Sequence, residues 1–176
     1  MMQALRARRA YAWLIAGVVA LDQLTKLAVV RSFELHESRE LLPGLLSLTY
    51  VRNRGAAFGI LSDAELPYQP AIFAIVSLAT LLAIVHYALR LPAADKLPQL
   101  ALALVTGGAL GNLLDRARLG YVIDFVDVFW QQHHWPAFNV ADSAITTGVC
   151  LLVLDILRNP GAARGEEPAA AGGGSD

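Results

Sequence analysis

The stretch LPQLALALVTGGALGNLL, Leu97 to Leu114, decides the fold. It carries no ionisable side chain. As a helix rising about 1.5 Å per residue it extends roughly 27 Å, close to the bilayer hydrocarbon thickness of about 30 Å. It is too long for a strand and too uniformly apolar for an amphipathic surface helix. Three further segments approach that length and apolar character: about Tyr11 to Val30, interrupted by Asp22, Gln23, Thr25 and Lys26, then Pro70 to Leu89 and Val140 to Leu157. The expected fold class is therefore an all-α membrane protein with four transmembrane helices in a single domain over residues 1–159. The remaining PGAARGEEPAAAGGGSD, residues 160–176, has no apolar stripe and is expected to be a disordered tail.

Composition agrees. Apolar residues make up 56% of the chain and mean hydropathy is +0.48, against an apolar share of roughly 45–50% in soluble domains. A net charge of −1 gives no basic field for nucleic acid, and no such partner is expected. The lone Cys150, in an apolar run, excludes an intramolecular disulfide and a cysteine-built metal site. Arg6, Arg8 and Arg9 before Tyr11–Leu21 resemble a cleaved signal sequence, but apolar residues resume after Lys26 and three more spans follow, which favours an uncleaved helix. Lysines and arginines flank both sides of the spans. An even number of spans puts the termini together, and the basic N-terminal tail points both to the cytoplasm.

The connections are unequal. LPAADK is only a turn, whereas Arg31 to Gln69 is too long for a mere link. Within it Leu46 to Arg52 alternates apolar and polar residues, the period of a half-buried strand, and Asn53-Arg54-Gly55 reads as a turn leading into Ala56–Ile60. Tyr121 to Phe129 is a second strand-like piece. A small sheet on the outer membrane surface is expected. Tyr121, Trp130, Trp135 and Phe138 gather as aromatic residues do at a membrane boundary.

Ionisable groups in apolar spans cost roughly 2.5–3.5 kcal/mol at a helix centre on insertion scales, so each needs a reason. Asp22 and Lys26 stand four apart and share a helix face, which suits a paired structural anchor. Asp142 opens the fourth span. With Asn139 as N-cap it falls at the third helical position, where the dipole favours a carboxylate. Asp124 is bracketed by Val122, Ile123, Phe125 and Val126, surroundings that disfavour charge. One acid biased toward its ionised form and a partner biased toward its protonated form suit general acid–base hydrolysis. Asp127 competes with Asp124: in a strand the two face opposite ways, in a helical turn the same way, and patterning does not choose.

Asp115, next to Arg116, is expected in a surface pair, and Asp155 lies near the far end of the fourth span. Asn53, Asn112, Arg116 and Asn139 offer donors in the layer of the two acids, able to orient carbonyls or to cap helix ends. Gly107, Gly108 and Gly111 allow close helix packing. His133 and His134 are adjacent rather than spaced as in HExxH, which leaves a zinc peptidase unsupported, and GxSxG and Walker-type loops are lacking.

Five blocks, in order, resemble those of bacterial lipoprotein signal peptidases (signal peptidase II). They are LDQLTK from Leu21, RNRGAAF from Arg52, GGALGNLLDR from Gly107, VIDF from Val122 and FNVADSA from Phe138. In that order they span nearly the whole chain apart from its two tails. The resemblance implies a small β-cradle and a short amphipathic helix on the periplasmic side, added to four transmembrane helices in the cell inner membrane. It implies cleavage on the amino side of a diacylglyceryl-modified cysteine in a prolipoprotein, by a monomer among membrane lipids that needs no metal or organic cofactor. It makes Asp124 and Asp142 the catalytic aspartates, Asn53, Asn112, Arg116 and Asn139 their supporting residues, and Asp22, Lys26 and Gly55 structural. Arg54 departs from the family, where a smaller polar residue is usual. The alternative from another class is a small proton-coupled transporter, whose acids would lie near the bilayer midplane with repeats or broken spans.

Overall fold

A computed structural model describes residues 2–55, 68–92 and 95–159. Its helices are α1 (Met2–Ser32), α2 (Gln69–Arg90), α3 (Lys96–Leu119) and α4 (Val140–Arg158), each containing a stretch long and apolar enough to cross a membrane. Pro70 in the first turn of α2 is tolerated because N–H groups there have no intrahelical partner. The third helix does not stop where its apolar run does. It continues through Asp115 and Arg116 to Leu119 and ends on Gly120, whose φ of 78° is the left-handed cap that glycine adopts without strain.

The helices pack around α3. Half of its span is buried inside the protein, against 6% of the α2 span. Lipid tails give no hydrophobic drive for helix association, so close backbone approach must provide it. Gly107 faces Val18 of α1, Gly108 faces Ala141 and Ile145 of α4, and Gly148 of α4 meets Ala101 and Val105 in return. A Cβ on Gly111 would stand 2.6 Å from Asp22 Oδ2. The small-residue spacing thus serves two neighbours at once.

Four antiparallel strands, in the order β1 (Ser38–Leu42), β2 (Leu46–Asn53), β3 (Val122–Trp130) and β4 (His133–His134), cover one end of the bundle. That end gathers the C-termini of α1 and α3 and the N-termini of α2 and α4. The alternating segment and the second strand-like piece are both strands, and they pair with Val51 opposite Asp124 and Asn53 opposite Val122. The edge strand β1 had no sequence signal. All of its residues are exposed, so no face selects an alternation. It is joined to β2 through Pro43-Gly44, with Leu45 N–H on Leu42 O at 3.1 Å and Gly44 at φ 74°, as a turn with proline then glycine at its centre requires.

Tyr50, Ile123 and Phe125 of the sheet bury against Val29 of α1, with Val140 of α4 packed alongside. Where it removes apolar surface from water, such burial stabilises by about 1.5–3 kcal/mol per large side chain. It fixes the sheet on the helix ends. Among the described residues there is no short amphipathic helix; residues 56–67, which include Ala56–Ile60, lie outside them, as does the 160–176 tail.

Candidate active site

The site begins with the entry to α4. Phe138 pairs with Val126 of β3 through two backbone hydrogen bonds of 2.8 and 3.0 Å, which sets the next residue, Asn139, against the middle of that strand. Asn139 caps α4 as its spacing predicts. Its side-chain oxygen accepts from Asp142 N–H at 2.9 Å, and Asp142 Oδ2 accepts from Asn139 N–H at 3.2 Å. Because the Asn139 oxygen is occupied, its amide nitrogen turns outward and donates to Asp124 Oδ1 at 2.7 Å. One asparagine therefore touches both acids.

Two more asparagines are oriented by the same logic. Asn53 Oδ1 accepts from Gly55 N–H at 2.9 Å, leaving its amide nitrogen to donate to Asp124 Oδ2 at 3.0 Å. Asn112 Oδ1 accepts from Lys26 Nζ at 2.9 Å, leaving its amide nitrogen to donate to Asp142 Oδ1 at 2.8 Å. In each case a donor that can only donate fixes which end of the amide faces the carboxylate. Gly55 also accepts from Arg116 Nη2 at 3.2 Å, which ties α3 to the end of β2.

Behind these lies a buried charge cluster. Lys26 is 2% exposed and spends all three of its donors, on Asp22 Oδ2 and Asp115 Oδ2 at 2.8 Å each and on Asn112. Asp22 also accepts from Ala141 N–H at 3.0 Å, supplying a partner for a first-turn donor of α4 that the helix leaves unpaired. The paired anchor expected of Asp22 and Lys26 is present, but it is a triad. Asp115 is not in a surface pair: it is 3% exposed, bonded to Lys26, to Gln23 Nε2 at 2.9 Å and to Ile123 N–H at 3.3 Å. The correction has a simple cause. Since α3 runs past Leu114, Asp115 falls one turn beyond Gly111, on the face turned to α1. Asp115 and Gln23 were missed as site residues; the available signal was the matching four-residue spacing of Asp22–Lys26 and Gly111–Asp115.

The strand also separates Asp124 from Asp127. Asp124 points inward at 2% exposure, whereas Asp127 pairs with His134 Nδ1 at 2.9 Å across the β3–β4 hairpin. His133 and His134 are both exposed, and His134 stacks on Phe129. Burial pushes the Asp124 carboxyl up from its ordinary 3.8 to about 7, and the nearby Asp142 carboxylate adds to the shift. The Asn53 and Asn139 amides and the Lys26 ammonium hold it back.

Asp124 and Asp142 share the wall of a cleft of about 690 Å³, between α2 and α4 over a floor of α3, with Trp135 to Phe138 along one edge. Asn53, Asn112 and Arg116 reach the same cleft, whereas Asp22 and Lys26 stand behind it. An acid held near neutral pKa beside a second carboxylate, on a cleft large enough for a peptide segment, is suited to hydrolysis.

Known proteins bear on this arrangement. The family model described as signal peptidase (SPase) II matches residues 14–158. A lipoprotein signal peptidase of Geobacter metallireducens is 48% identical over 151 residues, covering 86% of this chain and 92% of that protein. One from Pasteurella multocida is 44% identical, covering 85% and 89%. A solved structure of a bacterial membrane enzyme superposes with a TM-score of 0.76 at 33% identity, covering 90% of this chain and 94% of that one. The transporter alternative falls away, because the match runs from the first span through the last at an identity that carries the family with it. This chain belongs to the signal peptidase II family, the aspartic-type proteases that process lipoproteins.

Proposed function

We propose that Asp124 and Asp142 are the catalytic pair with which this lipoprotein signal peptidase hydrolyses its substrate. The observation that carries the reading is Asn139, which donates to Asp124 and exchanges hydrogen bonds with Asp142 on one cleft wall. Asp124, with its raised pKa, is the resting place of the single proton the pair holds. Asp142 accepts a proton from water as the water oxygen bonds to the scissile carbonyl carbon, while Asp124 gives its proton to the carbonyl oxygen. In the collapse of the resulting gem-diol, Asp142 passes its proton to the departing nitrogen and Asp124 regains one from a hydroxyl. The C–N bond breaks, leaving a new carboxyl on the signal peptide and a free amine on the lipoprotein.

The substrate is a prolipoprotein cut on the amino side of its diacylglyceryl cysteine, a reading the family supports. The chain acts as a monomer among membrane lipids. The sheet end of the bundle faces the periplasm, both termini lie in the cytoplasm, and the membrane is the inner one; the basic tail before Tyr11 supports this orientation. Asn53, Asn112, Arg116 and Asn139 orient the pair and the substrate. Asp22, Lys26 and Gly55 keep those residues in place.

The test is Asp124→Asn and Asp142→Asn, each assayed on a diacylglyceryl-modified prolipoprotein in membranes. Each should lower kcat by at least about 10²-fold, since acid or base catalysis alone contributes roughly 10²–10⁴. Wild-type processing by either folded variant would overturn the assignment.

A further inference from the structure

The cleft has a feature that holding the two acids does not require. Below Asp142 its walls carry hydroxyls, from Ser143, Thr146 and Thr147 on α4 and from Ser77 and Thr80 on α2. Hydroxyls inside an apolar helix ordinarily bond back to a carbonyl of their own chain. Thr25 does so, to Leu21 O at 2.8 Å, and Ser143 does so, to Asn139 O at 2.9 Å. Among the described residues, the hydroxyls of Ser77, Thr80, Thr146 and Thr147 have no hydrogen-bond partner. Thr146 lies four residues from Asp142, about 6 Å deeper along the axis, and Ser77 and Thr80 share a face of α2. Across from α4, α2 rests on α3 and makes little or no contact with α4, so the cleft opens between them.

A substrate that reaches the acids from within a bilayer meets a specific difficulty. Its apolar helix has four carbonyls in the last turn without partners, and any residue unwound to expose the scissile bond adds more. Hydrocarbon offers nothing to bond them. Resting on the assignment of this cleft as the proteolytic site, we propose that Ser77, Thr80, Thr146 and Thr147 are substrate-positioning residues. Their hydroxyls donate to the carbonyls that the signal-peptide helix leaves unpaired where its last turn unwinds toward the scissile bond. Four donors on two facing walls of the cleft that holds the acids match the number of groups that need them. Because a hydroxyl rotates and reads only the backbone, the same set serves signal peptides of differing side chains.

The test compares the full-length enzyme with Thr146→Val/Thr147→Val and with Ser77→Ala/Thr80→Val, on a synthetic diacylglyceryl prolipopeptide in nanodiscs. Thr→Val keeps the shape and removes only the donor. Each double variant should raise KM by about fivefold or more with kcat within about twofold, the size expected when hydrogen bonds worth about 1 kcal/mol are lost from binding. Thr146→Ser/Thr147→Ser should restore the wild-type value. A second prolipopeptide, with esters in place of the peptide bonds of its last helical turn, presents weakly accepting carbonyls, and on it the Val variants should lose little further. An unchanged KM, or the same loss on amide and ester substrates, would overturn the proposal. If the Val variants do not fold, the alanine set Thr146→Ala/Thr147→Ala is read by the same amide–ester comparison. Failure of the underlying assignment looks different: Asp124→Asn and Asp142→Asn would then retain turnover whatever the hydroxyl variants do.

Discussion

The two sides of α3 are built on opposite terms. Toward α1 and α4 it is studded with glycine and bonded polar groups, and a single buried lysine there has three partners. Toward α2 it forms a looser seam, and the outer face of α2 is a row of exposed apolar residues such as Ile75, Leu82 and Leu89. The first side cannot yield without leaving charges unpaired in a medium that does not solvate them. Among the described residues no side-chain hydrogen bond or ion pair joins α2 to α3, so the second can part without breaking one. The candidate acids stand where the two meet, anchored by the rigid side and facing the opening. A peptidase working on a membrane-embedded helix needs both, since the acids must hold their geometry while the cleft admits a helix.

The comparison is broken most severely at Lys26. In Lys26→Met the Asp22 and Asp115 carboxylates stay buried without their cation, and loss of one member of a buried ionic group costs about 3–5 kcal/mol. Unfolding in detergent should show a loss of that order, with activity gone at physiological temperature. On the other side of α3, Leu82→Ala at 60% exposure should change stability by no more than about 0.5 kcal/mol. Equal losses at the two positions would refute the contrast.

Next in size is the glycine seam. A methyl group at Gly111 would meet Asp22 Oδ2 at 2.6 Å, so Gly111→Ala must push the carboxylate away from Lys26 or part α1 from α3. Overpacking of this kind costs about 1–3 kcal/mol. Gly17, on α1 itself, has open space where its Cβ would be, and Gly17→Ala should be neutral or stabilise by up to about 1 kcal/mol through helix propensity. Thermal unfolding of the two variants in one detergent measures the difference directly.

How much of this the sequence revealed follows the same division. The spans could be read from long apolar runs, broken in α1 by Asp22 and Lys26, and β2 from alternation, because in both cases the environment constrains the residues; β3 was legible only as a strand-like piece. The Asn139–Asp142 cap was legible because it is local, closing over three residues. Asp124 and Asp127 could not be told apart until the segment was known to be a strand, since three residues apart means opposite faces there and one face in a helix. Asp115 was misread for a deeper reason. Its burial depends on α3 outrunning its own apolar stretch and on Lys26, far away in sequence, reaching across to it; the matching four-residue spacings hint at the contact, but no local pattern encodes it. Gln23 was hidden in the same way. β1 left no trace because an exposed edge strand has no buried side to specify.

The smallest effect expected is a displacement of the pH profile, and it tests whether the rigid side tunes the acids as well as holding them. If Asp124 must be protonated to serve the carbonyl oxygen, kcat/KM should fall above about pH 7, by tenfold per pH unit once its proton is largely lost. Asn53 donates to Asp124 Oδ2 and so favours the ionised carboxylate, holding its pKa below the value that burial and Asp142 would otherwise impose. Asn53→Ala removes that donor. The carboxyl then keeps its proton to higher pH, and the alkaline limb should move upward even as the maximum rate drops through poorer alignment. A substitution that merely loosened the site would lower the curve without moving the limb. A limb that stayed fixed or moved downward would mean that the proton lost at alkaline pH is not the one on Asp124, and that the roles of the two aspartates must be exchanged.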